Sequence, residues 1–172
     1  GFCIVLCNTT LHAKTKAQQA KQAYAKYLQS TDTSRDNAFI VLDINKDGVR
    51  ELLTGSVYEQ SKFLNCIFTY RDGKVKELAN TTKRNSVIIQ AEQNVSYFPN
   101  KKCLILYDGG TSNNNSMYAI NKQGKLKKTG EIGYRWYDDS CTVRKPHLNG
   151  KWISEKQYKN FFKKNKGVVY EY

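Results

Sequence analysis

The chain has 172 residues, and its 28 lysines and arginines outnumber 15 aspartates and glutamates, which gives a formal net charge of +13. A chain of this length buries enough of its own surface to fold as one domain without a metal or a disulfide framework. The positive charge attracts polyanions. The sequence contains none of the usual motifs of RNA- or DNA-binding folds, so nucleic acid is not an expected partner.

Residues 1–13 are predicted to be the end of a bacterial export signal. Their apolar start is too short to span a bilayer, and Ala13 stands where a cleavage site is expected. The alternative is a buried N-terminal strand. Residues 14–172 are then expected to be one secreted or cell-surface domain without a transmembrane segment. Three cysteines would remain, an odd number that argues against a disulfide framework: Cys66, Cys103 and Cys141.

The first predicted elements are a helix, two strands and a hairpin. Residues 14–30 place apolar side chains at helical spacing. Short apolar runs at Ala38–Leu42 and 52–58 predict strands. Asp72-Gly73 between two alternating segments predicts a tight hairpin, 63–70 with 74–78. The first strand of that hairpin should place four side chains on one face: Leu64, Cys66, Phe68 and Tyr70.

The second half of the chain predicts further strands and a final helix. Turn signals at Gln123-Gly124 and Asn149-Gly150 separate extended segments. Ser154 and Gln157 form a capping box that begins a helix, and Gly167 is placed to end it. The strand candidates are 87–91, Val95–Phe98, Cys103–Tyr107, 117–120 and 126–132. The predicted fold class is α+β, an antiparallel β-meander packed by an N-terminal and a C-terminal helix.

The acidic loop that follows Ala38–Leu42 is the most specific chemical feature of the sequence. Its alternating carboxylate and amide residues can point inward together, and Gly48 permits a sharp reversal of the chain. Ca²⁺ takes several oxygen ligands and tolerates irregular geometry. The predicted ligands are the side chains of Asp43, Asn45, Asp47 and Glu51, with the carbonyl of Val49. The alternative is a metal-free turn, in which these side chains bind neighbouring amides.

The pattern D-x-N-x-D-G-x-x-E-L over 38–57 resembles the calcium loops of FG-GAP/VCBS-type repeats, as found in integrin-like β-propellers and many bacterial surface proteins. The resemblance implies a structural Ca²⁺ held between strands. There is one copy of the loop, so a propeller is not implied. Together with the Ala/Tyr-rich first helix and the N-G-K-W-I-S segment before a basic helix, the chain also resembles small secreted or lipoprotein domains of Gram-positive bacteria.

Few residues are candidates for catalysis. His147 lies in the loop-like basic stretch Arg144-Lys145-Pro146-His147 and is expected to be solvated. Asp138-Asp139 is interpreted as a turn, because adjacent residues on an extended segment face opposite ways and cannot act together across a sugar. No cysteine and histidine spacing of the zinc-binding kind is present.

Aromatic residues next to basic ones are the remaining candidates for binding. Such side chains stack on sugars or contact partners when exposed, and pack in the core otherwise. The aromatic candidates are Tyr134, Trp136, Tyr137, Trp152 and Tyr158, with Arg135 among them. We therefore expect an exported, non-catalytic binding protein with a structural Ca²⁺ loop and a protein or glycan partner at the cell envelope. The alternatives are a cell-wall hydrolase and a binder of anionic polymers.

Overall fold

A computed structural model describes residues 13–31, 35–59, 61–88, 95–107 and 113–170. It contains two helices and eleven strands. In chain order they are α1 (Lys16–Ser30), β1 (Ala38–Leu42), β2 (Glu51–Tyr58), β3 (Ser61–Arg71), β4 (Lys74–Asn80), β5 (Val95–Phe98), β6 (Cys103–Tyr107), β7 (Asn114–Ile120), β8 (Leu126–Trp136), β9 (Arg144–Leu148), β10 (Lys151–Trp152), α2 (Glu155–Asn165) and β11 (Val168–Tyr170).

The strands form two antiparallel sheets. The first has the order β1-β2-β3-β4, and the second has the order β10-β9-β8-β7-β6-β5-β11. Strands that follow each other in sequence pair throughout each sheet, except that β11 returns to the β5 edge. The predicted α+β class, with an antiparallel meander and a helix near each end, is confirmed.

Three apolar clusters order the molecule into four layers. The largest cluster lies between the sheets and joins Leu53 and Ile67 of the first to Leu104 and Leu106 of the second. A second cluster holds α1 against the outer face of the first sheet. A third holds α2 against the outer face of the second sheet. The order of layers is therefore α1, first sheet, second sheet, α2.

Both helices begin with a capping box, of which the one at α2 was predicted from the sequence and the one at α1 was not. Thr15 and Gln18 form a capping box at α1, and Ser154 and Gln157 form one at α2, so free amides in each first turn find side-chain partners. The end of α2 differs from the prediction. Lys166 takes the left-handed conformation at φ 45°. Gly167 is needed for space, because a Cβ atom there would lie 2.7 Å from Cε1 of Phe98.

Two hairpin turns follow their sequence signals. Asp72 and Gly73 have φ values of 54° and 74°, and Asn149 and Gly150 have φ values of 50° and 78°. Two consecutive residues with positive φ define the tight turn whose twist matches paired antiparallel strands. The hairpins β3–β4 and β9–β10 are therefore confirmed at the predicted residues.

The predicted face of β3 is wrong at one residue. Thr54 pairs with Cys66 and Gly55 pairs with Leu64, so Asn65 is an inserted residue that forms a β-bulge. Cys66, Phe68 and Tyr70 share one face as predicted, and that face packs against α1, whereas Leu64 lies in the cluster between the sheets. The extra residue shifts the alternation by one, which moves Leu64 to the opposite face.

Some sequence predictions lie partly or wholly outside the described residues. The export signal falls on 1–13, of which only residue 13 is described. Residues 87 and 88 are not in a strand, and the rest of the candidate 87–91 is outside the description. Cys66 and Cys103 are free and buried, and Cys141 is free and exposed. Neither described helix has the length and apolar character needed to cross a membrane.

One edge of the first sheet is open among the described strands. β1 is its outermost strand and pairs only with β2. Phe39 and Val41 alternate along β1 as exposed side chains. α1 packs closest to β4, at the other edge of the sheet, and leaves these two side chains uncovered.

Candidate functional site

The acidic loop connects β1 to β2 and folds back on itself. Asp43 accepts hydrogen bonds at Oδ1 from the amide of Asp47 (3.1 Å) and at Oδ2 from the amide of Gly48 (3.0 Å). Asn45 Oδ1 also accepts from the amide of Asp47, at 3.2 Å. Lys46 and Gly48 have φ values of 62° and 85°, which give the reversal that brings these oxygens together.

Asp47 completes the turn. Its Oδ1 accepts from the amide of Val49 at 2.8 Å, and its Oδ2 accepts from the side-chain amide of Asn45 at 3.2 Å. These contacts are those of the metal-free turn. A carboxylate oxygen that accepts one hydrogen bond keeps a second lone pair, so the same side chains retain acceptor capacity for a cation.

Glu51 reaches the loop from the first residue of β2 and is only 1% exposed. Its Oε2 accepts from the amide of Ile44 (3.0 Å), and its Oε1 accepts from the hydroxyl of Thr69 (3.1 Å). Burial raises the pKa of Glu51 to about 7, and the charges of Asp47 and Asp43 add to the rise. None of the ion pairs among the described residues includes Glu51. The site thus holds a buried acid that has no cation.

A hydrogen bond from Tyr97 and the packing of Val49 against α1 join the loop to the rest of the protein. Tyr97, on the second sheet, donates its hydroxyl to the carbonyl of Ile44 at 3.0 Å. Tyr24, on α1, is buried; its hydroxyl comes near the backbone of Tyr70 but makes no hydrogen bond of normal geometry. Burial, with the charge of Glu51, raises the pKa of Tyr24. The acidic loop therefore contacts both neighbouring layers of the molecule.

The predicted calcium ligands are brought together in part. Asp43, Asn45 and Asp47 share one turn, and Glu51 binds the loop at the amide of Ile44. In the described ranges, no three acidic, histidine or cysteine side chains are close enough to form a ready-made metal site. Calcium binding stays a prediction.

A second candidate site lies at the far end of the second sheet. Trp136, Tyr137 and Trp152 are 40%, 52% and 46% exposed. The rings of Tyr137 and Trp152 contact each other, with centroids 5.4 Å apart at an angle of 70°. Large aromatic side chains are usually buried, so two exposed rings in contact, with a third exposed at the end of the same strand, indicate a contact surface.

Two cations complete this surface. The guanidinium of Arg144 lies 4.8 Å from the ring centroid of Trp136, and the ammonium of Lys145 lies 3.2 Å from that of Tyr137. Arg144 and Trp136 are opposite each other in the β8–β9 pairing and so share the α2 side of the sheet. We define the aromatic surface as this end of the sheet, with Trp136 and Arg144 on the α2 side and Tyr137, Lys145 and Trp152 on the other side.

The connection between β8 and β9 is held by Asp138. Its carboxylate accepts hydrogen bonds from the hydroxyls of Ser140 and Thr142 and from the amides of Thr142 (3.1 Å) and Val143 (2.9 Å). These bonds hold the pKa of Asp138 well below its usual range. The interpretation of Asp138-Asp139 as a turn is confirmed.

The expectation for His147 is wrong. His147 is fully buried in β9, with Nε2 2.8 Å from Oδ1 of Asn114. Its Nδ1 has no hydrogen-bond partner. Burial and the nearby charge of Arg135 lower the pKa of His147. Gly133 of β8 lies between Asn114 of β7 and His147 of β9. Because Gly133 has no side chain, Asn114 can reach His147 across β8.

Tyr134 and Tyr158 are partly buried against each other and do not join the exposed aromatic rings. Their rings are 4.8 Å apart, and the Tyr134 hydroxyl donates to Glu155 at 2.8 Å. Sequence reasoning missed Arg144 and Lys145. The sequence did contain a signal for them. A short polar segment separates Trp136-Tyr137 from Arg144-Lys145, and such spacing is typical of two hairpin strands whose residues lie opposite each other.

Comparisons of the chain with models of protein families, with curated proteins and with solved structures find no match.

Proposed function

We propose that this chain is a non-catalytic extracellular binding protein of the bacterial cell envelope, and that it binds a glycan through the aromatic surface. The observation that supports the proposal is the contact between the exposed rings of Tyr137 and Trp152, with Trp136 exposed on the opposite face of the same strands. Exposed rings on paired strands present flat apolar area at low entropy cost, which suits the apolar faces of sugar rings.

The acids near the aromatic surface favour binding over hydrolysis. A glycosidase needs one carboxyl group that is protonated at working pH and a second one across the scissile bond. Asp138 accepts hydrogen bonds from three neighbouring residues and its pKa is lowered, so it is ionised and already used by the turn. It is therefore a poor proton donor for the hydrolase alternative.

Retention on cell walls tests the glycan proposal. Trp152→Ala and Tyr137→Ala should each weaken binding to purified Gram-positive cell walls about tenfold or more, since a lost aromatic contact of 1.4 kcal/mol is tenfold in affinity. Tyr58→Ala is the matched control, because Tyr58 is 57% exposed at the other sheet. Equal retention of all variants would contradict the proposal, and so would release of new reducing ends by the wild type.

We further propose that the acidic loop holds a structural Ca²⁺. The residues present fit this ion: Asp43, Asn45 and Asp47 offer oxygen donors in one turn, and the buried Glu51 has no cation. A divalent ion would offset the cost of burying the ionised Glu51 carboxylate beside two other acids. When bound, it would fix the β1–β2 connection and thereby the edge of the first sheet.

Thermal unfolding with and without a chelator tests the calcium proposal. At one hundred times its dissociation constant, an ion that binds only the folded state stabilises it by about 2.7 kcal/mol. For a domain of this size that raises Tm by roughly 5–10 °C. Asp43→Asn should remove the effect, and Asp139→Asn, an exposed acid outside the loop, should keep it. Equal Tm values for the wild type in Ca²⁺ and in chelator would exclude a structural ion.

Binding of anionic polymers by charge alone is a second candidate. The helix α2 carries four exposed lysines: Lys156, Lys159, Lys163 and Lys164. None of them takes part in the ion pairs of the described chain. Binding of this kind falls steeply with salt and would be unaffected by Trp152→Ala, which separates it from contacts at the aromatic surface.

A further inference from the structure

We infer that the ligand of the aromatic surface carries a carboxylate, as in a polysaccharide of uronic acids, and that Arg144 binds this group. The inference rests on the proposed glycan-binding function and names the ligand class of the same site.

The unsatisfied hydrogen-bond donors of Arg144 are the first observation. Its Nε and Nη2 are both buried, and neither has a hydrogen-bond partner among the residues that the structure describes. Buried donors are almost always paired, and leaving a charged one unpaired is costly. Nε and Nη2 lie on the same edge of the guanidinium and point their hydrogens in parallel. That edge matches the two oxygens of one carboxylate.

The setting of the guanidinium is the second observation. The guanidinium carbon lies over the Trp136 ring, 4.8 Å from its centroid, and this cation–π contact restricts where the guanidinium can move. No acidic side chain forms an ion pair with Arg144 among the described residues, whereas the neighbouring Arg135 is paired with Glu131. The charge of Arg144 thus remains available for an anion from outside.

The neighbours of Arg144 indicate a sugar that is itself acidic. Trp136 offers a partly exposed ring next to the guanidinium. A uronic acid carries its carboxylate on the sugar ring, so stacking on Trp136 and pairing with Arg144 are possible for one residue of the polymer. Lys145 lies over Tyr137 on the opposite side of β9 and adds a second cation for a chain with repeated acids.

The burial of the two nitrogens favours a carboxylate over a phosphate. Both atoms are covered in the free protein, so the ligand must displace a neighbouring side chain to reach them. A planar carboxylate is thinner than a tetrahedral phosphate and needs a smaller displacement beside the Trp136 ring.

Titration calorimetry with oligomers of galacturonic acid, and with the same oligomers after reduction of their carboxyl groups, tests the inference. The wild type should bind the acidic oligomers at least tenfold more tightly. Arg144→Lys keeps the charge but loses the paired donors, and it should reduce this preference about tenfold. Arg144→Gln should abolish it. Arg50→Lys, an exposed arginine on the first sheet's side, should leave it unchanged.

Several results would overturn the inference. One is equal binding of the acidic and the reduced oligomers by the wild type. Another is a preference for the acidic oligomers that persists in Arg144→Gln, provided that this variant has the circular dichroism spectrum of the wild type. The third is Arg144-dependent binding of poly(glycerol phosphate) that is tighter than binding of the uronate oligomers. Failure to bind the uronate oligomers while cell walls are retained would remove the inference and leave the proposed function. If the protein binds neither the uronate oligomers nor cell walls, the inference and the proposed function are both wrong.

Discussion

At the scale of single residues, Glu51 links the acidic loop to the stability of the fold. It is ionisable and almost fully buried, and its hydrogen bonds go to a backbone amide and a threonine hydroxyl rather than to a cation. Its pKa is raised to about 7, so the folded protein binds a proton there more tightly than the unfolded chain does. The residue therefore makes stability depend on pH.

Without Ca²⁺, stability should fall as pH rises from about 4.5 to about 7. In this window the folded state holds more protons than the unfolded state at Glu51, and stability then decreases with pH. The loss should be on the order of 3 kcal/mol. Urea unfolding at pH 5 and pH 8 in chelator measures it, and saturating Ca²⁺ should reduce it because the ion favours the ionised carboxylate.

The control for this prediction is Glu51→Gln, in which stability should no longer decrease as pH rises through this window. His147 acts in the opposite direction, because its lowered pKa makes protonation at low pH costly to the folded state. His147 contributes equally to both proteins, so it cancels when the free energy of unfolding of Glu51→Gln is subtracted from that of the wild type at each pH. Parallel pH profiles of the two proteins would show that Glu51 is not protonated in the folded state.

At the scale of elements, local signals predicted what local interactions determine. The capping box at Ser154 and the turns at Gly73 and Gly150 involve residues within four positions of one another, and all three are found as predicted. The bulge at Asn65 was not predictable in this way. Asn65 donates to Asp36 and Ser56, which are far from it in sequence, so its place follows from the assembled sheet.

The candidate sites show the same division. The pattern of the acidic loop identified Asp43, Asn45 and Asp47, whose contacts are local. It did not show that Thr69 and Tyr24 surround Glu51, since β3 and α1 supply them. His147 was misjudged for a related reason. Its basic neighbours in sequence suggest solvent, but Asn114 on β7 and Trp152 on β10 enclose it.

Gly133 tests how tightly β7 and β8 are packed. A Cβ atom there would lie 2.4 Å from Oδ1 of Asn114 and 2.7 Å from its Cα, and the second contact is with backbone. Gly133→Ala should therefore destabilise the protein by roughly 1–3 kcal/mol in urea unfolding. Lys127→Ala, at an exposed position of the same strand, should stay within about 0.5 kcal/mol. Wild-type stability of Gly133→Ala would show that β7 shifts freely.

At the scale of the whole molecule, the two sheets separate the two candidate sites. The acidic loop joins strands of the first sheet, and the aromatic surface lies at the β8–β10 end of the second. The sequence predicted a meander and two helices but not the division into two sheets. The division falls between β4 and β5, which are consecutive in sequence but belong to different sheets, and no local signal marks it. The pairing of β11 with β5 joins residues about 70 positions apart and also has no local signal.

The open edge of β1 has a consequence for concentrated protein. Its unpaired amides and carbonyls, with Phe39 and Val41 uncovered beside them, offer a template on which a strand from another molecule can add. The formal charge of +13 keeps copies apart by mutual repulsion. Dissolved salt shortens the reach of that repulsion to about 10 Å at 0.1 M. Self-association through this edge is thus restrained by long-range charge rather than by the shape of the strand.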